Sequence, residues 1–209
     1  MTQIETFFFR SAIPILTNAD IFWITIANGV PVFVGVPLAL YLFTPNESAV
    51  HSGLKLTLPP IRELAPQFTL IGMVYLCIYF LFGHFVAWQV EELRVFYSGR
   101  TENLGFFPQL MHNLEENPVI FPFQFFRGIM FGVFLLPLVL MFQTKHKTML
   151  ISLILVLVYT GFPLVIPNPL FPDSVRLAHL REMISSMFVF SIIVWYVFTK
   201  FPTTNPGSS

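Results

Sequence analysis

FTLIGMVYLCIYFLFGHFVAWQV, residues 68–90, runs without a single Asp, Glu, Lys or Arg. About 20 apolar residues in a helix cross the hydrocarbon core of a bilayer, so this stretch predicts a membrane span. Four further stretches meet the same criterion. They are 21–43, interrupted by Asn28-Gly29-Val30-Pro31, then 121–142, 148–166 and 174–200. The last one starts its helical pattern at Asp173 or Ser174, either of which can cap it. At 1.5 Å per residue it is roughly 40 Å long, so its first two turns either stand proud of the membrane or lie among neighbouring helices.

Composition points the same way. Residues of the AVILMFWYC set make up 55% of the 209 positions and charged residues 11%. A soluble domain carries about 25% charged residues. Mean hydropathy is +0.73. The expected fold is therefore all-α: a polytopic integral membrane bundle of about five transmembrane helices, forming one transmembrane domain over 1–209. Eleven basic and eleven acidic residues leave no net charge, which excludes a basic nucleic-acid binder and an acidic tail. The single cysteine, Cys77, excludes an intramolecular disulfide and a multi-cysteine metal site.

Residues 2–16 do not read as a signal peptide, because Arg10 follows Phe7-Phe8-Phe9 and no small-residue cleavage site closes the segment. They predict a short N-terminal interfacial helix with its Phe side down. Residues 202–209 predict a disordered polar tail. Five spans place the termini on opposite sides. Lys and Arg divide almost evenly between the two sides, but all four lysines, Lys55, Lys145, Lys147 and Lys200, fall on the C-terminal one. The basic hairpin 143–147 joins them there. This side is assigned to the cytoplasm and the N-terminus to the outside, in the plasma membrane.

Polar groups crowd one end of the helices. Helix two brings His84, Gln89, Glu91, Glu92 and Arg94 to the N-terminal side. Helix three starts there with Gln124 and Arg127, and helix five with Arg176, His179, Arg181 and Glu182. Helix one adds Asp20, Thr25 and Asn28. Ionisable groups at membrane depth cost several kcal/mol unless paired or wetted, so these groups are expected to face one another across a hydrated cavity. His84, Trp88 and Glu91 follow helical spacing, as do His179, Glu182 and Ser186. Arg127 and Arg176 are expected to neutralise Glu91, Glu92 or Glu182. The aromatic-rich connection 91–119 is expected to lie on the membrane surface as a partial lid.

Each polar residue also has a plainer reading. A buried His in a membrane bundle commonly bonds a neighbouring helix. His179-x-x-Glu182 reverses the Glu-x-x-His order of bundle di-metal sites and occurs once, so no metal is assigned. No catalytic residue and no cofactor is named by the sequence. Glu91-Glu92 resembles the paired glutamates of the intramembrane CAAX-type protease family. The arginine of that family's first motif falls on Phe96 here. Its Phe-x-x-x-His motif is matched only in spacing, by Phe142 and His146 at the opposite end of the bundle, where they cannot share a site with Glu91. The resemblance stops at two residues.

Pro31 predicts a kink in helix one, with Asn28 satisfying the freed backbone. Gly128 and Gly132 form a small-xxx-small motif for close helix contact. Pro163, Pro167, Pro169 and Pro172 predict a stiff link before helix five. Trp23, Trp88 and Trp195 are candidate interfacial anchors. The partners implied are the lipid bilayer and either other membrane subunits or further copies of the chain. The best-supported role is an accessory or structural subunit of a membrane complex. The alternative is binding or transport of a small solute, ion or proton at the polar cluster, and an intramembrane enzyme ranks third. Orientation is open to direct measurement. In a Cys77→Ser background, Thr144→Cys in sealed cells is expected to resist an impermeant thiol reagent and to react once the membrane is opened. Labelling of intact cells would invert the topology.

Overall fold

The computed structural model describes residues 17, 19, 20, 22, 23 and 26, then 59–142, 144–167 and 171–201. The chain divides into two units, 1–55 and 56–209. In the first, the described residues from 19 to 26 are helical. Thr17 caps their start: its hydroxyl donates to Asp20 Oδ2 at 2.6 Å and its amide to the same oxygen at 2.8 Å. Those two bonds, the hydroxyl's first, hold the Asp20 carboxyl below the usual carboxylate range. The expected interfacial helix over 2–16, the rest of the span 21–43 with Asn28 and Pro31, and the tail 202–209 lie outside the described residues.

The second unit is helical throughout its regular elements, and no strand occurs among the described residues. Helix α1 covers Ile61–Phe82 and runs on into a π-helical turn at Gly83–Ala87. Then come α2 (Glu91–Ser98), α3 (Phe106–Glu116), α4 (Ile120–Met141), α5 (His146–Tyr159), a 3-10 turn at Phe162–Val165, and α6 (Asp173–Lys200). Among the described residues, three helices are long and apolar enough to cross a membrane: α1 with its π-turn at 27 residues, α4 at 22 and α6 at 28.

Boundaries differ from the sequence expectation for local reasons. Helix α1 begins at Ile61 rather than Phe68. Pro60 is its extended N-cap, a residue whose fixed φ suits a helix start. The expected span 148–166 ends as a helix at Tyr159. Its last turn is closed by Thr160, whose hydroxyl donates to the Leu157 carbonyl at 2.6 Å. Pro163 has no amide to continue the ladder, and the chain tightens into the 3-10 turn. Helix α5 alone is thus roughly 21 Å long, short of the ~30 Å hydrocarbon core. Neither Asp173 nor Ser174 caps α6. Pro172 holds the N-cap position, and Asp173 bonds Arg176 instead. The first turns of α6 do not stand free, since Val175, Arg176 and Ala178 are buried. The connection 91–119, expected as a surface loop, folds into two helices.

Contacts fix how the helices run. Phe80 meets Phe121, Gly72 meets Gly128, and Phe68 meets Gly132, a descending register that makes α1 and α4 antiparallel. Gly83 meets Glu182, Tyr75 meets Phe190, and Gln67 donates to the Phe201 carbonyl, so α1 and α6 are antiparallel too. Trp195 Nε1 donates to the His146 carbonyl at 3.0 Å and ties α6 to the start of α5. The main core joins all four, with Ile71, Leu153, Phe190 and Val194 fully enclosed. His84, Arg94, Arg176, His179 and Glu182 therefore belong to one end of the bundle.

Helices α1 and α4 approach each other closely at glycine. A Cβ on Gly128 would lie 2.6 Å from Tyr75 Cβ and 2.9 Å from Gly72 Cα. The small-xxx-small face of α4 is turned inward onto α1, so within the described residues it serves packing inside the chain. Gly128→Ala is expected to destabilise the solubilised protein by about 1–3 kcal/mol through overpacking. Gly105→Ala, whose Cβ meets only the Pro108 ring at 3.6 Å or more, is expected to stay within about 0.5 kcal/mol. Denaturant midpoints of the two variants, measured side by side, check this.

Candidate functional site

The π-turn organises the polar end. The Trp88 amide bonds the Gly83 carbonyl at 2.8 Å, a five-residue step, and Val90 is extended at φ −84° and ψ 119°. The chain therefore leaves the α1 axis before Glu91. This overturns the expected stripe of His84, Trp88 and Glu91, because Glu91 starts a separate helix. Glu91 and Glu92 are exposed in the first turn of α2, where negative charge suits the helix N-terminus.

Helix α2 docks on the start of α6 through a small apolar core of Ala87, Leu93, Val175 and Ala178, flanked by Trp88, Phe96, Tyr97 and Phe171. That packing sets Tyr97 against His179. The Tyr97 hydroxyl lies 2.9 Å from His179 Nε2, and His179 Nδ1 lies 3.1 Å from Glu182 Oε2. The His179 and Glu182 side chains are only 13% and 14% exposed. The other carboxylate oxygen, Glu182 Oε1, would lie 3.6 Å from a Cβ on Gly83, so the carboxylate rests close to the π-turn. With the Nδ1 proton given to Glu182, Nε2 accepts from the Tyr97 hydroxyl. The result is a three-member hydrogen-bond chain linking a carboxylate to a phenol across two helices. Such a chain can orient an imidazole for proton exchange, and it can equally pin α2 to α6.

The arginines do something else. Arg176 is buried. Its Nε and Nη2 donate to Asp173 Oδ1 at 3.2 and 2.8 Å, and its Nη1 donates to the carbonyls of Leu164 and Val165 at 2.7 and 3.0 Å. Its carboxylate partner is thus Asp173, one turn back on α6, which corrects the expected pairing with Glu91, Glu92 or Glu182. Arg94 is also buried and binds carbonyls: Nη1 to Trp88 at 2.6 Å, Nε and Nη2 to Thr101 at 3.1 and 2.9 Å. Both guanidiniums close chain ends left open where a helix stops.

The remaining candidates are spread out. Gln89 is exposed, donating to the His84 carbonyl at 2.8 Å and accepting from Asn103 at 3.1 Å. Arg181 is exposed on α6. Gln124 is fully buried and accepts from Arg127 Nη1 at 3.4 Å, and the Arg127 guanidinium lies 5.5 Å from the Tyr75 ring centre and 5.8 Å from that of Phe131. Tyr75 and His84 are nine residues apart on α1, about 13 Å along its axis, so Arg127 sits deeper than the imidazole. Ser186 bonds the Met183 carbonyl of its own helix rather than Glu182. His84 is buried with Nδ1 lacking a hydrogen bond, its ring edge-on to Phe85 and Phe106. Asn28 lies outside the described residues. No group of three or more His, Cys, Asp or Glu side chains that could hold a metal ion occurs among the described residues.

Sequence reading placed His179 and Glu182 together and missed Tyr97, which it counted only as one aromatic of a surface loop. The partners are 82 positions apart, and no periodicity links them. Arg176→Ala is expected to cost about 1–3 kcal/mol by stranding two carbonyls. Asp173→Ala, at a side chain 76% exposed, is expected to cost less than about 1 kcal/mol. Unfolding midpoints in detergent that rank the two the other way would make the ion pair, and not the carbonyl bonds, the important contact. Compared with known protein families, curated proteins and solved structures, the chain matches none.

Proposed function

We propose that this protein is a multi-pass integral membrane protein serving as an accessory or structural subunit of a membrane complex. The observation that carries the reading is the use of Arg94 and Arg176. Two buried guanidiniums at the polar end are occupied with backbone carbonyls of their own chain. Side chains so committed stabilise a shape and do not handle a substrate. Three apolar helices support the membrane setting. They leave large side chains such as Phe126, Phe134 and Phe188 exposed to lipid or to neighbouring subunits.

In this reading the bundle has five spans. Residues 21–43 form the first, and α5 with its 3-10 turn forms a short fourth. The N-terminus is outside, the C-terminus is cytoplasmic, and the membrane is the plasma membrane. Further copies of the chain or other membrane subunits cover part of the apolar exterior.

A second reading rests on one specific observation, the Tyr97–His179–Glu182 chain. In it, the half-buried imidazole and carboxylate bind or pass on a small solute, an ion or a proton, with His84 nearby along α1. An intramembrane enzyme using the same groups as acid and base ranks third.

Native mass spectrometry of the protein, gently extracted from its own membrane, separates these. The expected outcome is a complex with stoichiometric companion subunits. A lone or self-associated species overturns the subunit reading, and any small mass it retains identifies the class of ligand at the polar end.

A further inference from the structure

Helix α3 is inside out for a protein in water. At about 100° per residue, Phe107, Met111 and Leu114 fall within a sector of roughly 60°. They are 75%, 53% and 44% exposed. Gln109, His112 and Asn113 occupy the opposite side and are half-buried, with Gln109 donating to Asn113 at 3.1 Å. The outward face is apolar but for Glu115 at its edge, while the half-buried face mixes Gln109, His112 and Asn113 with Phe106 and Leu110. A soluble protein reverses this arrangement.

Position names the occupant. Helix α3 connects the polar ends of two membrane-length helices, the second of which starts at Ile120, only a few residues after Glu116. Its first residue is seated on the first of those helices: Phe106 stacks on Phe85 at 5.6 Å with an interplanar angle of 17°. Phe85 is itself 58% exposed, so the outer surface of α1 continues without a break into the stripe of α3. The nearby exposed charges are Arg100, Glu102, Glu115 and Glu116, an acidic excess that anionic headgroups would repel.

We propose that α3 is a membrane-surface helix whose Phe107, Met111 and Leu114 insert at the boundary between headgroups and acyl chains of a zwitterionic leaflet. The inference rests on the integral-membrane reading above. Attachment is hydrophobic and insensitive to salt, and it holds Phe106 over the buried ring of His84.

The test uses the full chain, Cys77→Ser, reconstituted in phosphatidylcholine vesicles. Nitroxides are placed singly at Phe107→Cys, Met111→Cys and Leu114→Cys, with Phe134→Cys on the outer face of α4 as the hydrocarbon reference. Collisions with oxygen and with a neutral nickel chelate are read by electron paramagnetic resonance. The expected result is that oxygen collisions exceed chelate collisions at all three α3 sites, at a depth shallower than Phe134 and unchanged by added salt. Chelate collisions exceeding oxygen collisions would put the stripe in water and overturn the proposal. Suppression of both would mean that protein covers it, another chain or a second copy, and would overturn the proposal equally. A water signature at Phe134 would overturn the membrane reading itself, and the α3 assignment with it.

Discussion

A backbone carbonyl left without a donor costs far more in hydrocarbon than in water, and this constraint explains where the polar side chains of the protein sit. Inside α1, α4 and α6 the helix satisfies itself except one turn before Pro66 and Pro137, which have no amide to donate. Trouble arises where a helix stops short or changes pitch. The π-turn and the sharp exit after it expose carbonyls at His84 and Trp88, which Gln89 and Arg94 take up. The 3-10 turn after α5 exposes Leu164 and Val165, and Arg176 takes both. The guanidinium suits this task because its fork carries several donors and stays charged at depth. The polar end of the bundle is, for the most part, the chemistry of helix endings.

Glycine contact between α1 and α4 supplies the second determinant. With Gly72 and Gly128 nearly touching, the two axes come close enough for Phe68, Tyr75 and Phe125 to fit around the contact. Tyr75 then reaches Phe131 and Phe190 together, which locks α6 to the same pair. Once α6 is held there, its first turns meet α2, and His179 comes within reach of Tyr97. The hydrogen-bond chain at one end thus depends on the absence of two side chains well down the bundle.

Much of this was legible in the order of residues. Long uncharged runs gave the existence of α1, α4 and α6, because burial in lipid is a property of composition. The gathering of His84, Arg94, Arg176, His179 and Glu182 at one end followed from alternating helix direction alone. Two things were not legible. Helical periodicity extrapolates a single pitch, so it carried the stripe from His84 through to Glu91 and could not foresee the π-turn. Pairing by opposite charge assigned Arg176 to Glu91, Glu92 or Glu182, whereas the nearer Asp173 and two carbonyls offered a full set of acceptors. Tyr97 was missed because its partner depends on the docking of α2, a tertiary event.

The π-turn has a consequence for phase. Tyr75 and Ala87 both face α6, the first against Phe190 and the second within the cluster of Val175 and Ala178. Twelve steps of an unbroken α-helix would turn the second residue about 120° away from the first. One extra residue absorbed in the wider turn removes about 100° of that rotation and brings the two faces back to within roughly 20°. The turn acts as a vernier, letting one helix track a neighbour over a length at which ordinary helical pitch would have lost it.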